Sequence, residues 1–300
     1  MDRSDTRCVS ARTPIALTIA GSDSGGGAGL EADLRTFAAL GVYGACVVTA
    51  ITAQNTNGVR AVHFIPADAV RAQLEAVMED FAVAAVKVGM LGTAEIVEMV
   101  AKALPSAPAA PPAGEGGSRL LPWGEGGPEV RMRVVYDPVL AASSGAALVG
   151  AGFVEAARSR LLPHVDCLTP NLAEAAALLG EPVACSEADM ARQGKALLGL
   201  GPRSIVMKGG HLEGEEAVDL LVTANGVQRF AWQKLPSKNL HGTGCTLSSA
   251  IASFLLRGET LPEAVRLAKA FVGEAIARGR LLKLGSGAGP LIQSDLFPCR

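Results

Sequence analysis

Short runs of β-branched and small apolar residues alternate with longer stretches of helical spacing, and this alternation limits the fold more than any other feature of the chain. Residues 15–20 (IALTIA) have the composition of a buried strand. Leu30, Leu34, Phe37 and Ala38 then recur at helical spacing before Gly41, which suits a helix C-cap. Strands are predicted at 46–52, 59–65 and 85–88. Val70, Leu74, Val77, Met78 and Phe81 predict one helix face, and Ile96, Val97 and Val100 a second. Further on, strand-like runs at 134–136 and 165–169 flank a helical pattern at 153–162. Helices at 172–179 and 186–200 and a strand at 204–207 follow. A hairpin is predicted over 217–234 around Asn225-Gly226, and two helices begin near Gly244 and Pro262. Such alternation implies an α/β fold, with a central mainly parallel sheet flanked by helices on both faces.

A chain of 300 residues could form two domains, but layered α/β folds often keep this length as one. The expected organisation is a flexible N-terminus at 1–13 and one domain at 14–300, interrupted by a surface insertion at 105–129. Residues 105–128 include six prolines and six glycines, with GEGG twice, a composition that cannot bury a core. Hydrophobic residues at 49% supply a sizeable core elsewhere. With 27 basic against 29 acidic residues, no basic stripe and 4% aromatics, nucleic acid is not an expected partner. The longest uncharged stretch, 36–59, is broken by Gly41, Gly44, Thr49 and Thr52, which argues for a helix end and a strand rather than a membrane span. Six cysteines without a C-x-x-C pair suggest free thiols in a reducing compartment, hence a cytoplasmic protein.

Two glycine loops carry the chemistry. In His241-Gly242-Thr243-Gly244-Cys245, glycines at a helix start leave backbone N–H groups bare, and the helix dipole makes that end suited to phosphate. The same field is expected to lower the pKa of Cys245. A tight loop around a buried structural cysteine fits this string equally well. The second loop, residues 21–29 (GSDSGGGAG), follows the first strand and contains Gly27-x-Gly29-x-x-Ala32, formally a dinucleotide fingerprint. No acidic residue lies between Arg35 and Arg60, where a ribose-binding carboxylate belongs. Three more strand ends bring Asp137, Asn171 with Glu174, and Lys208. In an open α/β sheet such positions collect in one crevice, where they could hold Mg²⁺ and neutralise phosphates.

The strings ALTIAGSDSGGGAGLEADLRTFAALGVYG, VTAITAQNTNGV, KVGMLGT, DPV, LTPNLAEAAALL, VMKGGH and HGTGCTLSSAIAS together resemble the hydroxymethylpyrimidine/phosphomethylpyrimidine kinases of thiamin synthesis, a branch of the ribokinase-like fold. The resemblance spans nearly the whole chain outside the N-terminal dozen residues and the insertion. It implies ATP-dependent phosphorylation of 4-amino-5-hydroxymethyl-2-methylpyrimidine and then of its monophosphate, with Mg²⁺, in a homodimer. It also implies that Gln54 bonds the aminopyrimidine, with Gly21, Asp33, Met90 and Val139 forming the pocket. Lys208 and Asn171 would meet ATP, and Asp137 and Glu174 the metal. Gly242, Thr243 and Gly244 would hold the transferring phosphoryl group, and Cys245 stands where the superfamily's sugar kinases carry a catalytic aspartate. Glu31 replaces a usual glutamine, Gly26 a common serine, and Ser143 a frequent lysine.

Three other functions stay open at this level. One is a pyridoxal or pyridoxine kinase of the same fold. Another is a nicotinamide-dependent oxidoreductase using the first glycine loop. The third is a thiol hydrolase pairing Cys245 with His241 or His211.

Overall fold

The computed structural model describes residues 13–105, 131–142, 145, 148–210 and 212–294; residues 106–129 of the expected insertion, Ser143 and His211 lie outside this set. The described strands are β1 (Ile15–Asp23), β2 (Tyr43–Asn55), β3 (Gly58–Phe64), β4 (Ala85–Val88), β5 (Arg133–Tyr136), β6 (Cys167–Leu168), β7 (Ser204–Gly209), β8 (Glu216–Thr223) and β9 (Gly226–Gln233). They form one sheet in the order β3-β2-β1-β4-β5-β6-β7-β8-β9. Pairing is parallel from β2 through β7, while β3 and the β8–β9 hairpin add antiparallel edges. The expected architecture is present.

Helices α1 (Gly29–Ala39), α7 (Thr243–Leu256) and α8 (Leu261–Gly279) cover one face. The other carries α2 (Ala67–Asp80), α3 (Ala94–Ala103), α4 (Phe153–Ala156), α5 (Leu172–Leu179) and α6 (Glu187–Leu198). Successive strand side chains point to opposite faces, so Leu17 and Ile19, Val134 and Tyr136, and Ile205 and Met207 join the second core. Their neighbours Ala16, Val135 and Val206 join the first. Helix α7 has small residues at Ser248, Ser249, Ala250 and Ala252, all buried, which lets it lie close against the sheet. No helix among the described residues is long and apolar enough to cross a membrane.

Three local expectations need correction. Strand β6 pairs over two residues rather than five, with Pro170 close behind it. The pattern at 153–162 begins as α4 but widens into a π-turn at Ala157–Leu161 and tightens into a 3₁₀ turn at Leu162–His164, where Pro163 cannot continue an α-helical ladder. On α2 only Val70 and Leu74 are buried, whereas Met78 is exposed.

From β1 the chain moves outward to β2 and β3, then crosses back to place β4 through β7 on the other side. The strand order thus reverses between β1 and β4. Carboxyl ends on either side of such a reversal open a crevice, and both glycine loops face it.

Candidate active site

The first glycine loop is built around one carboxylate. After a register shift at Ala20/Gly21, the end of β1 stays paired with β2 through Asp23. Asp23 then accepts the backbone N–H groups of Gly25 (2.8 Å), Gly27 (3.0 Å) and Ala28 (3.0 Å), so the loop curls around its side chain. Glu31 braces the base of the loop, accepting the Ser22 hydroxyl at 2.6 Å and the Asp23 N–H at 2.9 Å. Both oxygens of Glu31 are therefore in use, which a carboxylate satisfies without an amide flip.

The second loop docks directly on the first. Gly242 has φ +90°, and a Cβ there would overlap the Gly27 carbonyl oxygen, so only glycine allows this approach. His241 Nε2 lies 2.8 Å from Asp23 Oδ2. Burial works against the charge of Asp23, yet the His241 hydrogen bond and the Gly25 and Ala28 N–H groups hold its carboxyl below the usual range. Helix α7 then starts at Thr243 without a side-chain cap. The N–H groups of Gly244 and Cys245 meet no backbone or side-chain oxygen among the described residues. The resemblance implies Gly242, Thr243 and Gly244 for this place, but the Thr243 N–H lies 3.3 Å from the Leu240 carbonyl, so the bare groups are those of Gly244 and Cys245, where the helix dipole favours negative charge.

Below these groups sit the polar strand ends. Lys208 Nζ is 2.6 Å from Asp137 Oδ1 and 3.7 Å from Glu174 Oε2. A Cβ on Gly244 would stand 3.2 Å from Lys208 Nζ and 3.4 Å from Asp137 Oδ2, so the bare N–H groups and the ammonium share one space. Although burial opposes its charge, Asp137 and Glu174 hold the Lys208 ammonium firmly protonated. Burial, reinforced by Asp137 and opposed by Lys208, pushes Glu174 up to about 7. Asn171 and Glu174 also form a reciprocal capping box on α5: Asn171 Oδ1 accepts the Glu174 N–H at 2.8 Å, and Glu174 accepts the Asn171 N–H at 2.7 Å. Part of the polarity of both is thus spent on starting a helix.

The expected pocket residues are mostly together. Met90 is buried with Ala50 and Leu148, and Val139 and Ala142 pack against them. A Cβ on Gly21 would lie 3.1 Å from Met90 Sδ, so a bare backbone faces the thioether. Gln54 lies near the end of β2, its amide 3.1 Å from His241 Nε2 and 3.2 Å from Thr52 Oγ1. A cavity of about 180 Å³ opens beside it, lined by residues including Asn55, Ala142, His241 and Ala288.

Asp33 departs from expectation. It lies beneath the pocket, fully enclosed, accepting Thr18 Oγ1 (2.6 Å), Lys87 Nζ (2.8 Å) and Ser249 Oγ (2.7 Å). Three donors occupy its oxygens, so it supports the pocket from below and does not present a carboxylate to it. The expected acidic shift of Cys245 is also overturned. Burial is the main cause of a rise to about 11; Asp33 and Asp137 add to it, and Lys87 and the Gly29 N–H oppose it.

Sequence reasoning passed over Lys87 and Asp23, and it weighed His241 only as the partner of a hydrolytic thiol. A lysine between Val86 and Val88 in a buried strand was a visible signal, since a buried ammonium needs a partner. The Asp23–His241 contact joins residues 218 apart and leaves no local trace.

A bare helix N-terminus over a lysine and two carboxylates, at the strand ends of a mainly parallel sheet, defines a small-molecule phosphotransferase of ribokinase-like architecture. The chain matches the family described as phosphomethylpyrimidine kinase over residues 23–112 and 128–292. It is 46% identical over 279 residues to the hydroxymethylpyrimidine/phosphomethylpyrimidine kinase of Rhizobium meliloti, covering 93% of this chain and 96% of that protein. The crystal structure of phosphomethylpyrimidine kinase from Clostridium difficile is 40% identical, with a TM-score of 0.70 over 88% of this chain and 100% of that one. Pyridoxal kinase from Staphylococcus aureus, solved with AMP-PCP and pyridoxal, is 30% identical, with a TM-score of 0.79 over 94% and 93% of the two chains. This chain belongs to the phosphomethylpyrimidine kinase family.

Proposed function

We propose that the crevice transfers the γ-phosphoryl group of ATP to the hydroxymethyl group of 4-amino-5-hydroxymethyl-2-methylpyrimidine, and then a second phosphoryl group to the monophosphate. The observation that carries this reading is the placement of Gly244 over Lys208 and Asp137, which puts bare N–H groups and a fixed positive charge where a transferring phosphoryl group needs them. The names of the Rhizobium and Clostridium relatives support the substrate, and the AMP-PCP complex of the Staphylococcus neighbour supports ATP as the donor.

In the reaction the substrate oxygen forms a bond to the γ-phosphorus, and the bond from that phosphorus to the bridging oxygen of ADP breaks, its electron pair leaving with ADP. Gly244, Cys245 and Lys208 receive the equatorial oxygens. Gly21, Met90 and Val139 shape an apolar wall for the ring, and Gln54 bonds its polar edge. Cys245 takes the hydroxyl proton in its thiolate form, which Lys87 and the Gly29 N–H favour. Because the transition state is largely dissociative, positioning and charge matter more than base strength, so a weakly ionised thiol serves.

Asp137 and Glu174 fit Mg²⁺ arriving with the nucleotide. That ion commonly uses one or two carboxylates and fills its octahedron with phosphate and water. When bound, Mg²⁺ would neutralise charge on the phosphate chain. The reading includes a homodimer and a cytoplasmic setting, the latter in keeping with free thiols at Cys46, Cys167, Cys185 and Cys245.

The decisive assay follows ATP consumption with hydroxymethylpyrimidine, its monophosphate and pyridoxal side by side. Turnover of pyridoxal alone would overturn the reading.

A further inference from the structure

Gln54 sits between two neighbours whose own partners are acceptors only. On one side, Asp23 is ionised and accepts three backbone N–H groups, so His241 Nε2, at 2.8 Å, must carry a proton and donate it. The Gln54 amide nitrogen stands 3.1 Å from that Nε2, where an N–H meets a protonated ring nitrogen that cannot accept it. Only the carbonyl end can face it, sharing the proton given to Asp23. On the other side, Thr52 Oγ1 lies 3.0 Å from the Ser22 carbonyl, which can only accept. The single hydroxyl proton is committed there, so the Gln54 atom 3.2 Å from Thr52 must be a donor. With the amide nitrogen toward His241, N–H would oppose N–H and Thr52 would need two protons. Turning the amide by 180° removes both conflicts, and its two ends are so alike in size that their partners decide the assignment.

We infer that the Gln54 amide is locked with its carbonyl toward His241 and its NH₂ toward Thr52, and that His241 and Thr52 are positioning residues for substrate selection. The ring of bonds begins at Ser22 and closes at its neighbour Asp23, so the first glycine loop holds both ends. Resting on the pyrimidine reading above, the lock fixes which way the substrate edge must run. An exocyclic donor belongs on the His241 side and a ring acceptor on the Thr52 side. The 4-amino group and adjacent ring nitrogen of the pyrimidine supply that order. The 4-oxo analogue, with a carbonyl and a ring N–H, supplies the reverse and meets like against like at both positions.

The test compares kcat/KM for hydroxymethylpyrimidine with kcat/KM for its 4-oxo analogue in the wild type, Thr52→Val and His241→Leu. The wild type should strongly prefer the amino compound, and each variant should lose about tenfold of that preference as the amide becomes free to turn. A loss of positioning elsewhere would slow both compounds together and leave the ratio alone. A ratio unchanged in both variants overturns the lock. A second measurement needs no substrate: the side-chain NH₂ resonances of Gln54, assigned by their absence in Gln54→Leu, should show NOEs to the Thr52 methyl group. NOEs to the His241 imidazole instead would overturn the lock whatever the substrate is. Failure of the wild type to use either pyrimidine would remove the substrate reading, and the NMR result would still decide the orientation.

Discussion

Lys87 Nζ lies 2.8 Å from Asp33 Oδ2, and neither side chain has any exposed surface. Burial opposes the lysine charge, but Asp33 more than offsets it and keeps the ammonium protonated. The pair stands under the reaction site: Gly89 has no room for a Cβ beside the ammonium, and the charge is felt at Cys245. Removing one member of such a pair strands the other. Lys87→Met should therefore cost about 3–5 kcal/mol of stability, read from chemical denaturation. The double change Lys87→Met with Asp33→Asn should recover part of that loss. Equal destabilisation in the single and double variants would mean that lost packing, not a stranded charge, dominates.

Cys245 should govern the chemical step and its pH dependence. General-base assistance is worth roughly 10²–10⁴-fold, so Cys245→Ala should lower kcat by about that much with little change in KM. The thiol has to lose its proton before it can accept one, and its pKa is raised to about 11. Wild-type kcat should accordingly climb with pH from neutrality upward, while that of Cys245→Ala stays flat over the same range. Parallel profiles at saturating ATP would show that the anion hole and Lys208 carry the reaction without the thiol.

Glu174 should make metal use pH-dependent. Its carboxyl is raised to about 7, so in the free enzyme it gains a proton as pH falls through that value and loses its charge for Mg²⁺. The Mg²⁺ concentration needed for half-maximal rate should rise as pH drops from 8 to 6, and Glu174→Gln should remove most of that dependence. The same raised pKa implies that ionising Glu174 costs stability. This contribution favours the folded state at pH below the ordinary glutamate value and fades as pH rises through about 7. Glu174→Gln should therefore be relatively more stable at pH 8 than at pH 5.

The Pro/Gly-rich insertion should be dispensable for folding. Its flanks are held, with the Pro105 carbonyl 3.1 Å from His164 Nδ1 and Arg131 Nη1 2.9 Å from Asp166 Oδ1. Replacing residues 106–128 by a short Gly/Ser link changes mainly the loop-closure entropy, which varies slowly with length. The melting temperature should stay within a few degrees of the parent. A collapse in stability would show that Leu120, Leu121 and Trp123 pack against the body.

The sheet and its helices were legible because burial on two faces imposes periods of 2 and 3.6 on the sequence, as at residues 15–20 and 96–100. The uncapped start of α7 was legible too, because its glycines and the helix they start are contiguous. What escaped arises between segments far apart in sequence. The field of α7 on Cys245 is local and visible, whereas burial by the surrounding elements and the carboxylates of Asp33 and Asp137, which reverse its effect, come from elsewhere in the chain. Asp33 is a pocket residue only by resemblance, and Lys87 and Ser249, reaching it from β4 and α7, turn it into a support.

The docking of Gly242 on Gly27 also sets the order in which a newly made chain becomes an enzyme. At roughly 5–20 residues per second, a ribosome that has completed Asp23 needs about 10–40 s more to reach His241. Until then the first glycine loop has no mate, and the crevice lacks the bare N–H groups of Gly244 and Cys245. A chain that stops short of α7 therefore lacks one wall of the crevice, which comes only with the last fifth of the polypeptide.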